Sequence, residues 1–152
     1  MTDGSWSDYV ADAGTDPTAL SDASDTMADT IGVADTGLDS IDTSALSEDA
    51  AGDVVSASSN VNEAAGWQQW ADGDLANAAS WQDDAAGHVQ AANEWAAWGN
   101  ADAAQEELNA AGTASDIADG VVGTASNDLS IGADYMDSAS SDLSDAGSDS
   151  ID

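Results

Sequence analysis

Alanine recurs at every seventh position from residue 50 to residue 92: Ala50, Ala57, Ala64, Ala71, Ala78, Ala85 and Ala92. So long a run at one heptad position is improbable by chance, even in a chain with 33 Ala among 152 residues. A seven-residue repeat sets one side chain every two helical turns along a single line, so the pattern predicts a long α-helix with a continuous packing seam. The companion row Val54, Val61, Gln68, Leu75, Gln82, Val89 and Ala96 completes an a/d-type seam.

Two further stripes flank it. One runs through Leu20, Met27, Ala34 and Ile41, with Ile31, Leu38 and Ala45 between them. The other runs through Ala104, Ala111, Ala118, Ala125, Gly132, Ala139 and Ala146, paired with Leu108, Val122, Leu129, Met136 and Leu143. The seam changes phase near residues 46–50 and again near 99–104. A continuous coiled coil absorbs such shifts as stutters, but the local chemistry favours turns. Thr15 before Asp16-Pro17 is a good helix start, Thr43 or Ser44 suits a cap for a helix beginning near Ala45, and Gly99-Asn100 reads as a stop followed by a new cap. The expected architecture is all-α: helices at about 17–42, 46–98 and 101–146 in one elongated hairpin, bundle or coiled coil. A loose N-terminus and an acidic tail that frays from Ser138 complete the single domain. Small seam residues let helices approach closely but bury little apolar area, so stability is expected to depend on salt and on partners.

Charge narrows the chemistry further. The chain carries 26 Asp and 5 Glu against no Lys, no Arg and one His, a formal charge of −31. Without Lys or Arg there is no Schiff-base lysine, no arginine clamp, and no basic patch for nucleic acid or an anionic membrane. The same count predicts no intramolecular salt bridge. The absence of Cys removes disulfides and thiolate ligands, and no apolar run is long enough to span a bilayer. The first residues lack the pattern of a signal peptide, so any export is expected to follow a signal-less route. Repulsion among carboxylates is screened within about 3 Å at roughly 1 M salt, and surface charge maintains solubility there. The composition therefore points to a halophile rather than to a disordered acidic segment.

Five of the six Trp lie between residues 67 and 98. Trp67, Trp81 and Trp95 are fourteen residues apart beside the alanine row, with Trp70 and Trp98 one turn further round. This face is expected either to dock another chain or to pack within its own. His88 shares that row, with Asp84 one turn before it, but no nucleophile or cationic stabiliser accompanies the pair, and a structural role is expected. Asp72-Gly73-Asp74 and the stretch Asp142 to Asp152 both lack the ligand alternation of a calcium loop. Diffuse association with Na⁺, K⁺ or Mg²⁺ is expected, with no cofactor and no defined metal site. Walker, dinucleotide-binding and nucleophile-elbow motifs are absent from the sequence.

Asp16-Pro17-Thr18-Ala19-Leu20, followed by a helix and then by Ser44-Ala45-Leu46-Ser47-Glu48-Asp49-Ala50-Ala51, resembles the WxG-type helical hairpins of type VII secretion substrates. In that family a Trp-x-Gly turn joins two helices. Here Leu46-Ser47-Glu48 stands at the first turn, Trp95-Ala96-Ala97-Trp98-Gly99 approximates the motif at the second, and Gly132-Ala133-Asp134-Tyr135 is similar to the family's C-terminal helix. The resemblance implies a secreted hairpin that pairs with a second helical protein.

The leading expectation is a non-catalytic structural protein of a halophile. It would be a helical component of a virion or other extracellular assembly, joined to copies of itself or to other subunits through the Trp face. The cytoplasm of a salt-accumulating cell is the alternative location. The WxG-like hairpin is the first rival function. A DNA mimic, whose carboxylates imitate phosphate spacing in a basic cleft, is the second.

Overall fold

The computed structural model describes residues 4–149. These form four α-helices: α1 (Trp6–Ala13), α2 (Pro17–Asp39), α3 (Glu48–Ala97) and α4 (Ala101–Asp149). A single 3-10 turn, Thr43–Ala45, lies between α2 and α3, and no strand occurs among the described residues.

The two long helices form an antiparallel hairpin. α3 ends because Gly99 takes a positive φ of 77°. In that conformation the Gly99 N–H reaches the Ala96 carbonyl at 3.0 Å and the Asn100 N–H reaches that of Trp95 at 2.9 Å. This double closure satisfies carbonyls that the last turn leaves without partners. Asn100 then opens α4 by accepting from the Ala103 N–H at 3.1 Å through its side chain. The second phase shift is therefore a three-residue turn. The first is a turn as well, with different caps from those expected. Asp16, rather than Thr15, caps α2 by accepting from Thr18 and Ala19, with Pro17 in the first helical position. α2 stops at Asp39, not near 42, leaving Ile41 36% exposed beyond its end. Ser47 caps α3, while Thr43 and Ser44 belong to the 3-10 turn, itself capped by Asp42.

The alanine row lies in the hairpin interface. Ala50, Ala57, Ala64, Ala71, Ala78 and Ala92 are buried, and Ala85 is half-buried. Opposite them, Ala104, Ala111, Ala118, Ala125, Gly132, Ala139 and Ala146 line the facing side of α4 and are buried too. The companion row of α3 divides. Val54, Val61 and Gln68 are buried, Leu75 is half-buried, and Gln82, Val89 and Ala96 are exposed.

α2 explains that division. It lies along the first half of α3, with Leu20 and Met27 fully buried, and its first turn reaches the level of Ala78, Ala79 and Gln82. The contiguous core stops at Ala78 on α3 and Val122 on α4. Towards the Gly99 turn the two helices have only each other, an arm extending roughly 25–30 Å beyond the core at 1.5 Å per residue. Val89, Leu108 and Ile117 on this arm remain 43%, 47% and 37% exposed.

Within residues 4–149 the stretches expected to be loose are helical, while the expectation for residues 1–3 and 150–152 lies outside the described residues. α1 buries Trp6 and Val10, one helical turn apart, against α4. Asp137 of α4 accepts the Trp6 N–H at 2.7 Å, the Ser7 N–H at 3.0 Å and the Ser7 hydroxyl at 2.8 Å. A carboxylate at this position satisfies free amides of the first turn and meets the positive end of the helix dipole. At the other end α1 is tied by the Ser126 hydroxyl, which donates to the Gly14 carbonyl at 2.8 Å. The stretch from Ser138 is not a frayed tail: α4 continues to Asp149 with Ala139 and Ala146 buried.

Candidate docking face

The fold places the four tryptophans of α3, and Trp98 just past its end, along one flank of the hairpin. Trp67 and Trp81 are half-buried beside the α4 interface, with the Trp67 Cβ close to Gly132. Trp70, Trp95 and Trp98 are 70%, 43% and 85% exposed. α2 cannot cover them, because it packs against the flank that carries Gln68, Asp72 and Leu75. Two shallow notches mark the Trp flank. The first is lined by Asn62, Glu63, Gly66, Trp67 and Trp70, and the second by Glu94, Trp95 and Trp98. Sequence reasoning found the tryptophans from their spacing but missed both glutamates. Each stands four residues before a Trp (Glu63 to Trp67, Glu94 to Trp98) and therefore on the same side of the helix.

His88 lies between the notches and faces α4. Its Nδ1 is 2.6 Å from Glu107 Oε2 and its Nε2 is 3.6 Å from Asp84 Oδ2. The hydrogen bond to Glu107 raises the imidazole pKa above its ordinary 6.5, helped by the charges of Asp84 and Glu107 and opposed by desolvation. When protonated, His88 forms an ion pair across the hairpin, which corrects the expectation that no salt bridge exists. All three groups are engaged with one another on a packed helix pair, an arrangement that clips the arm.

Other polar groupings are built into the helix contacts. At the α2–α3 contact, Gln68 Nε2 donates to Ser24 Oγ at 3.0 Å, and the Ser24 hydroxyl donates to Asp72 at 2.8 Å. This chain explains the buried Gln68, whereas Gln82 of the same row is exposed. At the α3–α4 contact Asp128 is buried, and desolvation raises its pKa, reinforced by the charge of Asp74 and a hydrogen bond to it. Near the free ends of the hairpin, desolvation raises the pKa of Asp53, as do the surrounding charges of Asp149, Asp145, Asp142 and Asp49. Among the described residues, no group of three or more His, Cys, Asp or Glu is placed to hold a metal ion. None of their helices is long and apolar enough to cross a membrane.

Comparison with known proteins finds no match among family models, curated proteins or solved structures. The functional reading therefore rests on the chemistry of the chain itself.

Proposed function

We propose that this chain is a non-catalytic interaction protein of a halophile, a helical component of a virion or other extracellular assembly that docks through the α3 face from Trp67 to Trp98. The observation that carries the reading is the exposure of Trp70, Trp95 and Trp98 along one flank of the hairpin, which neither α2 nor α4 covers. An indole left in water forgoes burial worth several kcal/mol, at about 25 cal/mol per Å² over roughly 150–250 Å². Aromatic side chains presented in this way are the usual anchors of protein interfaces. The two-helix arm fits the same reading, since it carries Trp95 and Trp98 away from the core and makes that flank accessible to a neighbour.

The high-salt setting is supported by the charge of −31 and by a seam of alanines that leaves little apolar burial to oppose repulsion. Purification from the producing organism at high salt tests the proposal. The expected result is recovery in fixed stoichiometry with an assembly, and loss from that assembly on substituting Trp70 and Trp98 by Ala. Recovery alone, as a monomer that stays helical in low salt, contradicts it. A second reading, the WxG-like secreted hairpin, rests on the resemblance carried by Asp16-Pro17-Thr18-Ala19-Leu20 and the stretch Ser44 to Ala51. A defined heterodimer with one other helical protein distinguishes it.

A further inference from the structure

The proposed docking face leaves open which chemistry it meets, and its two notches narrow that choice. Both combine indole faces with a carboxylate on a single helix, Glu63 with Trp67 and Trp70, and Glu94 with Trp95 and Trp98. Glutamate is scarce here, five residues against 26 Asp, yet two of the five stand in these notches. A partner that covers the indoles also takes water from the carboxylates. Salt screens charges at a distance, but a carboxylate desolvated in contact is compensated most strongly by a cationic donor from the partner. A second copy of this chain has no Lys or Arg to offer, and its one His is already engaged by Glu107. The complementary group is planar, cationic and able to stack on indole while donating to a carboxylate. That is the guanidinium of arginine.

We propose that each notch receives an arginine side chain from a partner protein, so that the Trp flank of α3 recognises a surface with two arginine anchors. The notches lie 28 residues apart along α3 when counted from Trp67 to Trp95, about 42 Å at 1.5 Å per residue. Single contacts of this kind are weak, and two anchors on one rigid helix gain affinity by avidity. The proposal rests on the docking reading above and adds the partner's chemistry to it.

A fluorescein-labelled peptide with an arginine pair at each end of a twenty-residue Gly-Ser linker, long enough to reach both notches, followed by anisotropy against the full chain in 2 M NaCl, tests it beside the same peptide with citrulline in place of arginine. Citrulline keeps the shape and hydrogen-bonding capacity of arginine but carries no charge. The arginine peptide is expected to bind at least about tenfold more tightly than the citrulline peptide. The double variants Trp70→Ala/Trp98→Ala and Glu63→Gln/Glu94→Gln are each expected to weaken it by a similar factor. Asp25→Asn/Asp116→Asn removes the same charge from exposed sites elsewhere and is expected to change binding less than twofold. Circular dichroism verifies that each variant remains helical. Equal binding of the two peptides overturns the proposal, as does equal weakening by the Asp25/Asp116 pair, which would reduce the effect to general attraction for a polyanion. If the peptide does not bind but the chain dimerises and Trp70→Ala/Trp98→Ala dissolves the dimer, the arginine assignment fails while the docking face stands. If Trp70 and Trp98 are as open to oxidation in the native assembly as in the free chain, the docking reading itself fails.

Discussion

A Cβ built on Gly132 meets Met27 Sδ at 3.2 Å, Trp67 Cβ at 3.4 Å and the Ala64 carbonyl at 3.5 Å. The residue is small because α2, α3 and α4 converge on it. Gly66 and Gly87 on α3 have nothing within 4 Å at the same position. Gly132→Leu is therefore expected to destabilise the chain by about 1–3 kcal/mol through overpacking. Gly87→Ala is expected to stabilise it by roughly 0.5–1 kcal/mol, the ordinary gain in a helix interior. Urea unfolding at fixed salt measures both, and a stabilising Gly132→Leu would contradict the convergence of the three helices. Titration gives a second expectation at this scale. His88 and Asp128 both hold a proton more tightly folded than unfolded, so stability rises as the pH falls through their titrations. The His88 contribution is complete below about 6.5 and is lost as the pH rises through its raised folded value. The penalty at Asp128 is present at neutral pH and is relieved as the pH falls through its raised value towards 3.8. The urea midpoint should thus increase on acidification from pH 8 towards pH 4. His88→Gln should flatten the upper part of that change, and Asp128→Asn the lower part. A midpoint that fell over this range would contradict both assignments.

α1 has eight residues, and its attachment depends on three hydrogen bonds to Asp137 together with the burial of Trp6 and Val10. Asp137→Ala is expected to release it. Hydrogen exchange should then show loss of protection over residues 6–13, with α3 and α4 protected as before; unchanged protection of α1 would show that Trp6, Val10 and the remaining hydrogen bonds from Ser7 to Asp134 and from Ser126 to Gly14 suffice to hold it. This element also marks where the sequence was hard to read. The long helices were legible because their alanines repeat over many turns, and the Gly99-Asn100 turn because Gly and Asn have distinct backbone chemistry there. α1 carries too few turns for a period, and its partner Asp137 lies 131 residues from Trp6 in sequence. Ser47 was passed over as a cap because Thr43 and Ser44 offered the same side-chain chemistry a few residues earlier. On the docking face, tryptophan spacing was visible whereas exposure was not, because exposure depends on where α2 ends. Glu63 and Glu94 could have been found from their common position four residues before a Trp.

The whole molecule is a helical hairpin thickened by α1 and α2 over its first half and reduced to two helices at the Gly99 end. Its longest interface is lined largely by alanine and glycine, so close packing of backbones replaces the burial of large side chains. With 31 carboxylates to screen, its helicity is expected to rise steeply between about 0.1 M and 3 M NaCl. Circular dichroism across that range follows the change, and full helicity at the lowest salt would remove the halophilic part of the reading. The arm should be the first region to open. Hydrogen exchange at intermediate salt is expected to be faster over residues 83–117 than over α3 residues 50–78, which α2 covers. The reverse order would contradict the division into core and arm. The Trp flank of α3 is open in the free chain and, in the proposed assembly, is expected to be covered. Oxidative footprinting of Trp70, Trp95 and Trp98 at high salt, on the isolated chain and on the assembly purified with it, addresses that claim directly. The predicted result is oxidation of all three in the isolated chain and protection of all three in the assembly. Equal oxidation in both states would contradict the account.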